Sequence, residues 1–96
     1  MNISINAVKF RLAEKLEDFI NEKVSKLDKL IPDAIGAEIT LKVSKPATEN
    51  NKVVDIKLLI KGDDLFASKQ GDSFEQCLLE CIDAIKVQIA KIKEKK

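Results

Sequence analysis

The sequence predicts a small α+β fold of two layers, with its elements in the order β-α-β-β-β-α. Four short segments read as strands, and the clearest of them alternate apolar with polar residues. Two longer segments repeat apolar residues every three or four positions, as amphipathic helices do. Because each element has one apolar face, both helices are expected to cover one face of a four-stranded sheet and leave the other face wet.

The first strand is expected at residues 2–7, where Ile3 and Ile5 point to one side of NISINA. The first helix is expected from about residue 11 to residue 31, and no Ser, Thr or Asp stands at its expected cap. Pro32 and Gly36 should close this helix and start a turn.

Three strands in a meander should follow, at residues 37–45, 52–61 and 65–70. Residues 46–51 read as a polar loop between the first two, and residues 62–64 (GDD) as a tight turn between the last two. The last helix should run from about residue 73 to the end, with Asp72 or Ser73 as its cap. The first strand should join the sheet in parallel through a right-handed crossover.

The composition is that of a soluble globular chain, with 45% hydrophobic and 34% charged residues among 96, and residues 1–96 are expected to form a single domain. No apolar run approaches the roughly 18 residues of a membrane span, and the start lacks the pattern of a signal peptide. A cytoplasmic protein without a membrane partner is therefore expected. The absence of Trp and Tyr argues against a platform of stacked aromatic residues for single-stranded nucleic acid.

Catalytic and metal-binding residues are scarce, because the chain has no His and its three glycines stand singly at expected turns. No enzyme, cofactor, metal site or small-molecule substrate is expected. Cys77 and Cys81 are four residues apart on one face of the last helix, which favours two small buried thiols. A disulfide between them remains open and would constrain little.

The charge of the last helix is polarised, although the formal net charge of the chain is only +1. Acidic residues come first and lysines last, which suits the helix dipole and needs no ligand to explain it. A helical wheel places Lys86 and Lys93 on one flank, and Lys91 and Lys95 on the other. These lysines read either as a solvated helix end or as one edge of a site for a polyanion.

The first helix carries a second group of lysines. Lys15, Lys26 and Lys29 cluster along one flank, whereas Lys23 falls near the middle of the apolar stripe, between Phe19 and Leu27. A lysine in that position must extend its ammonium group out of the apolar layer. Lys23 is therefore expected to emerge near the seam between the two helices.

Four strings follow one another in the chain with almost no gaps: LEDFINEKVSKLDKL (16–30), ITLKVSK (39–45), GDDLFASKQGDSFEQCLLECIDAI (62–85) and VQIAKIKEKK (87–96). In this order and spacing they resemble the ribosome hibernation promoting factor family, which includes the ribosome-associated inhibitor A proteins, the sigma-54 modulation proteins and the ribosomal subunit interface proteins. The resemblance covers essentially the whole chain.

The resemblance implies a fold similar to a double-stranded RNA-binding domain. It also implies binding to the small ribosomal subunit and its rRNA, in the channel that mRNA and tRNA use, which blocks translation and preserves idle ribosomes during stress or stationary phase. The basic residues that match the family's, or lie beside those that do, form the expected rRNA-binding set: Lys23, Lys26, Lys29, Lys42, Lys45, Lys86, Lys91, Lys93 and Lys95.

The chain departs from the family at three positions. Val87 stands in a segment that often has Arg, Ile92 where His is frequent, and Glu75 where an aromatic residue is common. These changes weaken the expected phosphate contacts. The chain resembles the short form, which lacks the additional C-terminal domain, and nothing in it demands more than a monomer.

Two other functions remain open from the residues alone. One is a protein–protein interaction module that uses the polar sheet face, with Phe66 and Leu59 exposed on it. The other is a general binder of double-stranded RNA, which would bind free duplexes as strongly as ribosomes.

Overall fold

The four strands of the sheet lie in the order β1-β2-β3-β4, as the meander predicted. The structure, a computed structural model, describes residues 2–44 and 51–94. β1 pairs with β2 in parallel, and the β2–β3 and β3–β4 pairs are antiparallel. The strands are β1 (Asn2–Ala7), β2 (Ala34–Val43), β3 (Lys52–Ile60) and β4 (Asp63–Gly71).

The helices cover one face of this sheet. They are α1 (Glu14–Ser25), the single turn α2 (Leu27–Leu30) and α3 (Phe74–Glu94). The inward residues of the strands, such as Ile39, Leu41 and Ile56, form one buried cluster with Ile20 and with one stripe of α3. The two-layer α+β architecture predicted from the apolar patterns is therefore confirmed.

The first predicted helix is shorter than expected and is divided. It begins at Glu14 rather than at residue 11, and Ala13 at its N-cap offers no side-chain hydrogen bond to the first backbone N–H groups. It is interrupted at Lys26, beyond Ser25, whose hydroxyl donates a hydrogen bond to the carbonyl of Glu22 at 2.8 Å. Side-chain hydrogen bonds of this kind compete with the helical ladder at helix ends.

Gly36 does not form the expected turn, since β2 already begins at Ala34. It pairs with Asn2 of β1, and a Cβ atom at Gly36 would lie 2.9 Å from the backbone oxygen of Asn2. Glycine is therefore needed there for the close approach of two strands rather than for a change of chain direction.

The second hairpin is tighter than predicted, because β3 ends at Ile60 and β4 begins at Asp63. The two-residue connection ends in Gly62, whose φ of 89° favours glycine. The start of α3 agrees with the capping prediction, since the backbone N–H of Gln76 donates to the Ser73 hydroxyl at 3.1 Å.

The crossover from β1 through α1 to β2 is left-handed, and the right-handed expectation is wrong. The side chain of Leu41 in β2 is buried under the helices. Its backbone carbonyl accepts a hydrogen bond of 2.9 Å from the N–H of Val8, the residue that follows β1. Consider an L-residue in a strand that runs upward, with its side chain toward the viewer. The backbone N–H and C=O of that residue then point to the viewer's right. β1 therefore lies to the right of β2 when seen from the helices, which defines a left-handed connection.

A second hydrogen bond agrees with this orientation. Ser44, which lies two residues beyond the outward-facing Lys42, donates its N–H to the carbonyl of Asn51 on the β3 side, at 2.8 Å. Alternate residues of β2 thus bond alternately to β1 and to β3. The general preference for right-handed crossovers rests on strand twist, and no local pattern in this sequence marks the exception.

Candidate nucleic-acid interface

The two long helices lie side by side and start at the same end of the sheet. Phe10, just before α1, stacks on Phe74, the first residue of α3, with ring centroids 5.1 Å apart. The left-handed crossover turns one flank of α1 toward α3. That flank carries Phe19, Lys23 and Lys26, which are spaced as neighbours along one side of a helix.

The opposing flank of α3 carries Lys86 between Ile82 and Ile89, both of which are buried. The other flank of α3 faces β4, because the side-chain amide of Gln88 donates to the carbonyl of Phe66 at 2.8 Å. We call this line of contact between the two helices the inter-helix seam. It is defined by Phe19 and Lys23 of α1 and Lys26 at its C-cap, with Ile82, Lys86 and Ile89 of α3.

Lys23 is half-buried at the seam, as its position in the apolar stripe predicted. Its ammonium nitrogen lies 5.6 Å from the centroid of the Phe19 ring, one helical turn earlier. This is the geometry of a cation–π contact. The long aliphatic stem of Lys23 packs at the helix surface, and its charge is kept near an aromatic face instead of a carboxylate.

Four further lysines of the expected set have described side chains on or beside the helices; they are exposed but do not form one cluster. Lys26 and Lys86 lie on the two sides of the seam. Lys91 is three residues after Gln88, so it lies on the flank of α3 that faces β4, away from the seam. Lys29 is exposed in the short turn α2.

Lys42 does not belong with the helix lysines, because it lies on the opposite face of the sheet. Its ammonium nitrogen is 3.4 Å from Oδ2 of Asp55. The other carboxylate oxygen of Asp55, Oδ1, accepts a hydrogen bond from the Ser68 hydroxyl. The structure therefore does not bring Lys42 together with the helix lysines, and its role in rRNA binding stays a prediction. Lys45 and Lys95 lie outside the described residues, and so does the side chain of Lys93.

The parallel arrangement of α1 and α3 segregates charge along the molecule. Glu14 and Glu17 lie in the first turn of α1 and Glu75 in the first turn of α3, whereas Lys23 and Lys86 lie further along their helices. Acidic groups favour helix N-termini and basic groups favour C-termini. Because both helices run the same way, the basic portions of both fall at the same end of the helical layer.

The charges of the seam lysines are not engaged by carboxylates in the described part of the chain. Within the described chain, none of Lys23, Lys26 and Lys86 forms a salt bridge, whereas Lys42 and Lys57 each have a carboxylate within 4.0 Å. An ammonium group without a carboxylate partner gives up no ion pair when it turns toward a phosphate. The seam can therefore attract a polyanion through point charges, without reading its sequence.

The two cysteines are buried, free thiols, as their spacing predicted. The Cys81 thiol donates to the carbonyl of Val54 at 3.2 Å. Burial raises the pKa of Cys81 to about 12, with smaller contributions from Cys77 and Asp55, and burial also raises the pKa of Cys77. Thiols with raised pKa values are poor nucleophiles, which agrees with a structural role.

The described part of the chain holds no group of three or more Cys, Asp or Glu side chains placed to bind a metal ion. Among its helices, none is both long and apolar enough to span a membrane.

The uncovered sheet face carries an exposed aromatic residue, as the strand alternation suggested. Phe66 of β4 is 56% exposed, and Leu59 of β3, its diagonal neighbour in the ladder, is half-buried. The charged residues around them are paired, since Lys57 lies 3.8 Å from Asp64. This face is thus locally neutral and differs in character from the inter-helix seam.

Sequence reasoning missed the aromatic ring beneath Lys23 and the exposure of Val87. The spacing of Phe19 and Lys23 by four residues was a usable signal for the first. Val87 is 56% exposed on α3, on the side of Lys69 and Ala84. Its position off the apolar stripe of Ile82, Ile85 and Ile89 was a usable signal for the second.

Comparison with known proteins identifies the family. The family model described as sigma 54 modulation protein / S30EA ribosomal protein matches residues 3–96. Among curated protein sequences, no match was found.

Solved structures show the same fold. A ribosomal subunit interface protein from Coxiella burnetii matches with a TM-score of 0.87 and 16% identity, over 98% of this chain and 99% of the other. The N-terminal domain of Protein Y from Thermus thermophilus matches with a TM-score of 0.80 and 15% identity, over 96% and 99% of the two chains.

Proposed function

The chain belongs to the sigma 54 modulation protein / S30EA ribosomal protein family, a non-enzymatic family of ribosome-associated proteins, and from this premise we propose that it binds the small ribosomal subunit and inhibits translation. It occupies the channel that mRNA and tRNA use and so preserves idle ribosomes in the cytoplasm during stress or stationary phase. Residues 1–96 act as one ribosome-binding domain, and the protein binds as a monomer.

The observation that carries the proposal is the inter-helix seam, where Lys23 and Lys26 of one helix face Lys86 of the other without carboxylate partners among the described residues. Such ammonium groups bind phosphates and release counterions from the nucleic acid. Lys29 and Lys91 provide further rRNA contacts outside the seam. Lys45, Lys93 and Lys95 are assigned the same role from the family resemblance alone. Lys42 contributes least, because Asp55 already neutralises it.

Recognition is by shape and backbone rather than by base sequence. The lysines act as point charges, and no Arg or Asn is placed on the seam for bidentate contact with a base edge. A folded rRNA surface offers phosphates from several strands at fixed positions, whereas a regular duplex offers those of its own two strands. We therefore expect tighter binding to the small subunit than to free duplex RNA.

The test is co-sedimentation of the purified protein with small subunits, large subunits and whole ribosomes at several salt concentrations. Binding should follow the small subunit and whole ribosomes and should fall steeply as salt rises, because phosphate contacts release counterions. A protein that remains in the supernatant at low salt would refute the proposal. Equal binding to a free RNA duplex would indicate a general binder of double-stranded RNA instead.

A second candidate function is a protein–protein interaction module on the uncovered sheet face. The exposure of Phe66 favours it, since a large aromatic side chain exposed to 56% beside a half-buried leucine can anchor a protein contact. Substitution of Phe66 by Ser distinguishes the two functions. Unchanged ribosome binding by this variant would support the seam, and loss of ribosome binding with an intact fold would support the sheet face.

A further inference from the structure

The most informative contact outside the lysines themselves joins Lys23 to Phe19. Lys23 is half-buried, and its ammonium nitrogen lies over the Phe19 ring at 5.6 Å from the centroid. Resting on the proposed function, we propose that Phe19 is a positioning residue, whose ring holds the Lys23 ammonium group at the inter-helix seam in the position that receives an RNA phosphate.

Three lysines of this chain show why the ring matters. Lys42 is held by Asp55 at 3.4 Å, so its charge is already neutralised by a carboxylate. Lys52 lies over the Phe74 ring at 5.9 Å, but it also donates a hydrogen bond to the Asn51 side chain at 2.9 Å. Lys23 has the ring without either of these polar partners in the described structure, so its position is restricted while its charge is retained.

A ring face and a phosphate can hold one ammonium group at the same time. An ammonium group has three N–H donors, and the attraction of the ring is directed to its face. The donors that point away from the ring are free to bond phosphate oxygens. A carboxylate in the place of the ring would compete with the phosphate for the same charge.

Holding the side chain in advance also reduces what binding must order. A free lysine side chain loses rotamer freedom when it is fixed against a partner, and preorganised groups lose less. The half-buried stem of Lys23 and the ring one turn earlier remove part of that freedom before any ligand arrives. Phe19 therefore acts through Lys23, without itself contacting the phosphate.

The test is a double-mutant cycle on binding to purified small ribosomal subunits. Phe19→Leu keeps an apolar side chain at the seam and removes the aromatic face, and Phe19→Tyr keeps the face. Lys23→Met removes the charge and keeps the stem. We expect Phe19→Leu to weaken binding by roughly two- to fivefold, Phe19→Tyr to bind as the wild type, and Phe19→Leu to have no further effect in the Lys23→Met background.

Phe74→Leu is the matched control, because it removes the other aromatic ring that contacts a lysine and lies at the opposite, acidic end of the helices. It should lower stability without weakening subunit binding in the folded protein. If Phe19→Leu weakens binding equally in the wild-type and Lys23→Met backgrounds, the ring contributes only packing, and the positioning role is refuted.

A readout without ribosomes separates this inference from the proposed function. In NMR spectra, ring currents should shift the Lys23 ε-protons upfield in the wild type and in Phe19→Tyr, and the shift should disappear in Phe19→Leu. On titration with inorganic polyphosphate, the Lys23 resonances should move more than those of exposed Lys29. An unshifted Lys23 in the wild type would overturn the positioning role, whatever the protein binds.

Discussion

The Phe10 ring stacks on the Phe74 ring with centroids 5.1 Å apart and planes within 12° of parallel. This contact joins the segment before α1 to the first turn of α3, two places that are far apart in the sequence. It fixes the N-terminal ends of the two helices beside each other. The contact therefore anchors the helical layer at the end opposite to the seam lysines.

Substitution of Phe10 by Ala should lower the free energy of unfolding by about 2 kcal/mol, below the range for fully buried phenylalanines, because Phe10 is half-buried. Combined with Phe74→Ala, the cycle should give a coupling energy of about 1 kcal/mol, the value typical of aromatic pairs. Urea unfolding measures both quantities. Additive effects of the two substitutions would show that the stacked rings do not act as a pair.

Reversal of the three seam lysines, Lys23, Lys26 and Lys86, to Glu should lower subunit affinity more than tenfold and reduce the slope of log affinity against log salt by about 2 to 3. The control is reversal of Lys9, Lys57 and Lys61, which changes the net charge equally and leaves the seam intact. Sedimentation at several salt concentrations measures both variants. Equal losses in the two would mean that overall charge, and not the seam, governs binding.

Lys91 offers a finer comparison, because it lies on the flank of α3 that faces β4. Reversal of Lys91 alone should weaken binding less than reversal of Lys86 alone, and sedimentation with small subunits measures both. A larger effect at Lys91 would move the RNA contact from the seam to the β4 side of α3.

Substitution of Gly36 by Ala should lower the free energy of unfolding by about 1–3 kcal/mol, as steric overpacking does. The added Cβ would lie 2.9 Å from the backbone oxygen of Asn2, which cannot rotate away. Amide hydrogen exchange should show the loss in β1, while the β3–β4 hairpin keeps its protection. Unchanged amide exchange in β1 would show that β1 and β2 accommodate the added methyl group without a loss of stability.

Alkaline pH should destabilise the fold through Cys81. Its pKa is raised from 9.0 to about 12, so between these values the unfolded chain releases a thiol proton that the folded chain keeps. The contribution is complete below about pH 9 and is lost as pH rises toward 12. Unfolding free energies measured across this range should fall more steeply for the wild type than for Cys81→Ala. Parallel curves would contradict a buried, protonated thiol.

Local patterns predicted most of the fold because one-sided burial leaves a period in the sequence. The first strand lies at Asn2–Ala7, as the alternation predicted, and Ser73 caps α3. The interruption at Lys26 and the hand of the crossover could not be predicted in this way. The first depends on hydrogen bonds of single residues, and the second on the arrangement of three elements, which a periodic pattern does not encode.

The candidate site was predicted in part. Periodicity placed Lys23 at the seam and separated the flank of Lys86 from that of Lys91. Alternation in β2 already placed Lys42 on the uncovered face, and only the family resemblance grouped it with the helix lysines. The cation–π contact of Lys23 depends on side-chain rotamers, which the sequence spacing permits but does not determine.

The hydrogen bond from the Gln88 side chain to the carbonyl of Phe66 also bears on whether another copy of the chain can add a strand to the sheet. β4 is the last strand of the sheet, and an open strand edge is a template on which other chains can add and grow into fibrils. Gln88 occupies one acceptor of that edge from within the same molecule. An incoming strand would have to displace this amide, so α3 hinders strand addition at this point of the β4 edge as well as carrying lysines.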